Sequence, residues 1–218
     1  MASEIVLVTV SGEDKPGLMS MLTSTLASYQ AQVLDIGQAV IHEELALGLL
    51  IRIPKQEDVA GVEKALAAMA KEVGSIVRFT PVTKARYRDW ADSSGKPRHI
   101  ITLLTRGRAN ETLHAVSKLT HRHGLNIDTV RRLSGRIPLA STGTDEKVCM
   151  ELRVRGVSRE PQALNAQLME ASVALAFDFS MHEDNVFRRN RRLVAFDMDS
   201  TLINVEVTGA DRKWQPTA

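Results

Sequence analysis

Ile5-Val6-Leu7-Val8-Thr9-Val10, followed by Gly12-Glu13-Asp14-Lys15-Pro16-Gly17-Leu18, is the stretch on which the fold turns. The first six residues are aliphatic or β-branched and read as a strand, and the next seven are rich in turn formers. A helical pattern opens at about Leu18 and runs to Tyr29, with Pro16 suited to a first helical turn and Asp14 placed to cap it. Val33 to Ile41 and Leu45 to Ile53 read as two further strands joined by the polar hinge His42-Glu43-Glu44. A second helix from about Glu57 to Val73 carries Val59, Val62, Leu66 and Met69 on one face, and Ser75 to Phe79 closes the stretch as a strand. The order is strand, helix, strand, strand, helix, strand.

The next hundred residues replay that order. Ile100 to Thr105 is a strand, and Asn110 to His123 a helix with Leu113, Val116 and Leu119 on its apolar face. Asn126 to Leu133 and Val148 to Val154 are strands, Pro161 to Leu175 is a helix opened by its proline, and Phe177 to Met181 is the last strand. Asn126-Ile127-Asp128 stands where Leu34-Asp35-Ile36 stands in the first copy. Each copy therefore reads as a β-α-β-β-α-β sheet with its helices on one face, an α+β, ferredoxin-like architecture. The expected domains are 1–84 and 99–183, with linkers at 85–98 and 184–192 and the start of a third domain at 193–218. The turn formers Ser93-Ser94-Gly95-Lys96-Pro97 mark the first linker, and Arg188, Arg189, Arg191 and Arg192 mark the second.

Bulk properties exclude several classes. The 218 residues are 44% hydrophobic and 25% charged, with a net charge of +2, so a nucleic-acid partner gets no support from charge. The RNA-recognition domains that share this strand order need aromatic residues on their central strands, yet Ile5 to Val10, Leu45 to Ile53, Ile100 to Thr105 and Val148 to Val154 contain none. No apolar run is long enough to span a membrane, and the N-terminus lacks a signal-peptide pattern, so a cytoplasmic location is expected. The single cysteine, Cys149, is expected as a buried strand thiol. His114, His121 and His123 share a helix without a third ligand on one face and read as surface or C-terminal residues.

A second kind of signal follows the repeats. Leu193 to Phe196 is an apolar strand that opens into Asp197-Met198-Asp199-Ser200-Thr201-Leu202, two carboxylates one residue apart at a strand end. This segment resembles the first motif of the haloacid dehalogenase superfamily. With the Gly12 to Leu18 connection, the repeats resemble tandem ACT domains, and the whole arrangement resembles the bacterial phosphoserine phosphatases. The resemblance implies Asp197 as the nucleophile that forms an aspartyl phosphate, and Asp199 as the acid and base, with Mg²⁺ held by both. It implies L-serine or another small amino acid as the ligand of the ACT pair, a homodimer, and no nucleic-acid or membrane partner. The polar tail Thr208 to Ala218 stands where that family continues into an apolar helix, and a truncation, a changed reading frame or an artificial end would each produce it. A single strand and loop cannot preorganise phosphoryl transfer, so the chain alone is expected to be inactive. The other function weighed is a free-standing amino-acid-binding or oligomerisation module.

For the ligand, Asp14, Gly17 and Leu18 form the expected cradle. Gly17 allows close backbone approach, and the first helical amides can receive a carboxylate. Asp35, on the facing strand, can pair with an ammonium group. Asp128 is expected in the equivalent place of the second copy, whose connection Thr105-Arg106-Gly107-Arg108-Ala109-Asn110 has neither the Asp nor the Pro-Gly.

Overall fold

The structure is a computed structural model, and it describes residues 4–54, 58–93, 95–136 and 146–185. The chain divides into two compact units between Gly95 and Lys96. In the first, β1 (Glu4–Glu13), β2 (Gln32–Ile41), β3 (Glu44–Ile53) and β4 (Ile76–Val82) form an antiparallel sheet of order β2-β3-β1-β4. Its helices are α1 (Leu18–Ser28), α2 (Val59–Glu72) and α3 (Lys84–Ser93). Strand alternation decides which face is the core. Leu45, Leu47, Leu49, Ile51 and Ile53 of β3 pack under Leu18, Leu22 and Leu26 of α1 and Val62, Leu66 and Met69 of α2. Each such side chain contributes about 2 kcal/mol by leaving water. The residues between them, Ala46, Gly48 and Leu50, belong to the opposite face. Asp58 caps α2 by accepting from the amides of Ala60 and Gly61, each at 3.1 Å.

The second unit has the same topology. Strands β5 (Arg98–Arg106), β6 (Asn126–Arg132), β7 (Lys147–Arg155) and β8 (Phe177–Glu183) form a sheet of order β6-β7-β5-β8, with helices α4 (Ala109–Arg122) and α5 (Pro161–Leu175). Ile101, Leu103, Leu152, Val154, Val116, Leu164 and Leu168 centre its core. The molecule is thus a tandem of ferredoxin-like units, as the sequence pattern implies.

Three details depart from that pattern. The buried line of α4 is Thr112, Val116 and Thr120, with Leu113 and Leu119 only half-buried beside it. The hydroxyl of Thr112 makes this possible by donating to that of Thr105 at 3.2 Å, so a buried polar pair satisfies itself. Cys149 is half-buried, because it alternates with the core residues Val148 and Met150 and lies on the other face of β7. Residues expected at the start of a linker form α3 instead. The basic run and the segment 193–218, with Asp197 and Asp199, lie outside the described residues, as does any Mg²⁺ site they would make.

Candidate functional site

The connection from β1 to α1 is a tight turn with its own internal partners. The amide of Asp14 donates to Glu43 O at 2.7 Å, and Lys15 Nζ bridges Glu13 Oε2 at 3.1 Å and Val73 O at 3.2 Å. The helix begins at Leu18, with Gly17 as its N-cap at φ 92°, a left-handed conformation that favours glycine. Two expectations are corrected here. Asp14 does not cap α1, since a cap must sit beside the first turn and Asp14 is three residues ahead of Gly17. Pro16 precedes the helix rather than opening it. The side chain of Leu18 points into the core, where it is buried.

Asp35 lies elsewhere. It pairs with Leu50 of β3, which pairs with Leu7 of β1, seven residues of strand before Asp14. That separation is roughly 20 Å, so the turn and Asp35 cannot hold one small amino acid between them. What surrounds Asp35 is a pocket of about 370 Å³ between the non-core face of the sheet and α3. Leu7, Leu50 and Val82 supply apolar floor, and Tyr87 and Trp90 of α3 supply a wall, their rings 5.8 Å apart. Gly37 and Gly48 are cross-strand partners in the floor, and a Cβ on either would meet only open space. Their missing side chains keep the pocket open. Asp35 and Arg86 also line it, and neither side chain has an ion pair or hydrogen bond among the described residues. An unpaired carboxylate and an unpaired guanidinium on an apolar pocket suit a zwitterion. The carboxylate accepts from an ammonium group, the guanidinium fork grips a carboxylate, and the apolar surface takes what lies between. Sequence reasoning placed Asp35 but missed Arg86 and the glycine pair. The signal was present as two glycines inside apolar strands.

In the second unit Asp128 has a different task. Its carboxylate accepts from Arg155 Nη2 at 3.1 Å and from Asn126 Nδ2 at 2.8 Å, and it forms an ion pair with Arg155. Both units carry a strand irregularity at the same place, between Val33 and Asp35 in β2 and between Ile127 and Thr129 in β6. Val33 pairs with Ile51 and Ile127 with Val154; Asp35 pairs with Leu50 and Thr129 with Arg153. The structural counterpart of Asp35 is therefore Thr129, and Asp128 occupies the place of Leu34. The sequence correspondence was one residue off on this strand. Gln32 and Asn126 are true counterparts, for Gln32 pairs with Arg52 of β3 and Asn126 with Arg155 of β7. Among the described residues no group of three or more His, Cys, Asp or Glu could hold a metal, and no helix is long and apolar enough to cross a membrane.

Two repeated β-α-β-β-α-β units, the first with a pocket lined by opposite charges, define a tandem of the ferredoxin-like class. The chain belongs to the ACT-domain family. Residues 4–80 match the ACT domain model, and a UPF0237 protein from Methanosarcina mazei is 30% identical over 79 residues, 36% of this chain and 86% of that protein. A phosphoserine phosphatase from Streptomyces coelicolor is 30% identical over 202 residues, which is 93% of this chain and 45% of that protein. The chain thus spans about half the length of the phosphatase relatives it matches. An unknown protein from Galdieria sulphuraria has the same fold, with a TM-score of 0.68 at 16% identity over 84% of this chain and 99% of that one.

Proposed function

We propose that this chain is the amino-acid-sensing regulatory part of a phosphoserine phosphatase, and that it binds its ligand in the pocket under α3. The observation that carries the reading is the similarity to phosphoserine phosphatase along 93% of the chain, through both units rather than one. The second reading, a free-standing amino-acid-binding or oligomerisation module, is favoured by the first unit's likeness to the UPF0237 protein, 86% of which it covers.

In the intact enzyme, O-phosphoserine would be hydrolysed through an aspartyl phosphate on Asp197, with Asp199 moving the proton. Mg²⁺ held by these two carboxylates would supply charge neutralisation at the phosphoryl group. Serine would regulate that step by binding two arrangements of the protein with different affinity, since a ligand shifts an equilibrium only by such a difference. The edge strands β2 and β6 expose Val33, Ile36, Val40 and Val130, which suits pairing with a second copy into a homodimer.

The test is calorimetric titration of the chain with L-serine, with glycine and larger apolar amino acids alongside, and with the Arg86→Ala variant. Saturable binding that the variant weakens supports the reading. Absence of binding by every amino acid rejects it, and binding unaffected by Arg86→Ala moves the site away from α3.

A further inference from the structure

A second pocket, wholly within the second unit, has the opposite character. It has a volume of about 700 Å³ and lies between the end of α4, the connection from β7 to α5, and the residues that lead into β5. Lys96, Arg122 and Arg159 line it, one from each of those three segments, together with His121 and His123. None of the three cations has an ion pair or side-chain hydrogen bond among the described residues. Among the described residues, Glu160 is the one carboxylate in the lining. The dipole of α4 gives a reason for basic residues on its own last turn, but none for Lys96 or Arg159, which come from other segments.

The three segments are pinned together. Gly156 donates its amide to Pro97 O at 2.9 Å, which places Lys96 beside the end of β7. A Cβ at Gly156, whose φ is 136°, would stand 2.9 Å from Gly124 O, so only glycine lets this connection lie against the end of α4. His123 Nδ1 lies 3.4 Å from the Ser158 hydroxyl and its Nε2 3.3 Å from Gln167 Oε1, which fixes the same connection from the other side. Ser158 Oγ in turn accepts from the Glu160 amide at 3.3 Å. The backbone that carries the cations is thus set before any ligand arrives, which lowers the ordering cost of binding.

We propose that this pocket binds a small phosphomonoester. A dianionic phosphate offers three terminal oxygens, enough for two guanidinium groups and an ammonium group to share, and the remaining volume takes the esterified organic part. A small phosphorylated metabolite and a nucleoside monophosphate both present this chemistry.

The experiment is titration of the full chain at low and at physiological salt with glycerol 3-phosphate, adenosine 5′-monophosphate and inorganic phosphate, with glycerol and adenosine as uncharged controls. None of these carries an amino-acid zwitterion, so the outcome does not depend on the pocket under α3. Saturable binding of at least one monophosphate is expected, weakened by salt, with Arg159→Gln and Arg122→Gln each raising Kd by about tenfold. Arg78→Gln, in the first unit, should leave Kd unchanged. The better of the two organic esters identifies the source, and equal affinity for inorganic phosphate shows that the organic part makes no contact. Two results overturn the proposal: no binding at millimolar ligand, or a Kd in both the Arg159 and Arg122 variants unchanged from that of the unsubstituted chain when their circular dichroism is native.

Discussion

Asp35→Asn and Asp128→Asn separate a carboxylate kept for a ligand from one kept for the fold. Asp35 is exposed and has no partner among the described residues, so its neutralisation should change the free energy of unfolding by no more than about 0.5 kcal/mol. Its loss removes a charge-assisted hydrogen bond to a bound ammonium group. At an exposed site such a bond lies near the low end of its range, about 1.5 kcal/mol, which is about a tenfold rise in Kd for serine. Asp128 should do the reverse. Its carboxylate takes bonds from Arg155 and Asn126 with both members of the ion pair about a quarter exposed, at 25% and 29%, so Asp128→Asn should cost about 1 kcal/mol of stability. Its serine affinity should be unchanged. Urea titration followed by far-ultraviolet circular dichroism reads the first quantity, and calorimetry reads the second. Equal destabilisation by the two substitutions, or a serine Kd that Asp35→Asn leaves alone, would refute the assignment.

Two further outcomes test the packing around the second unit. Thr112→Val strands the Thr105 hydroxyl in the core and should lower stability by about 1–2 kcal/mol, whereas Thr105→Val with Thr112→Val should recover part of that loss, as urea titration will show. Gly156→Ala forces a side chain against Gly124 O in a conformation that L residues avoid; it should cost about 1–3 kcal/mol and abolish phosphomonoester binding in the titration described above.

The repeated topology was legible because it rests on local periodicity. Leu18, Leu22 and Leu26 recur at helical spacing, and Leu45 to Ile53 alternates, so both core faces follow from neighbours in sequence. Helix α3 was hidden by composition. Its residues Lys84 to Ser93 are mostly polar, and Tyr87 and Trp90 are too short a stripe to show a period beside the Ser-Gly-Pro signal that follows. The site was half legible for a related reason. Asp35 stands out as an acid in an apolar strand, but Arg86, which lines the same pocket, is fifty-one positions away and comes to it only through the placement of α3. The strand irregularity at Leu34 and Asp128 leaves no mark in the sequence. Without it, the two acids look equivalent when they are one position apart.

That one-position offset bears on how the duplicated chain diverged. Two copies that arise from one ancestor begin with the same side chains on the same faces, and most changes of role require a change of surface elsewhere. An irregular residue in an edge strand offers a cheaper route. At that position an acid bonds to the neighbouring strand's arginine, as Asp128 does; at the next it faces the pocket side of the sheet, as Asp35 does. On the proposed reading, moving a single negative charge along the chain retires one copy from amino-acid recognition and frees its other surfaces for a different ligand, while every strand keeps its partner.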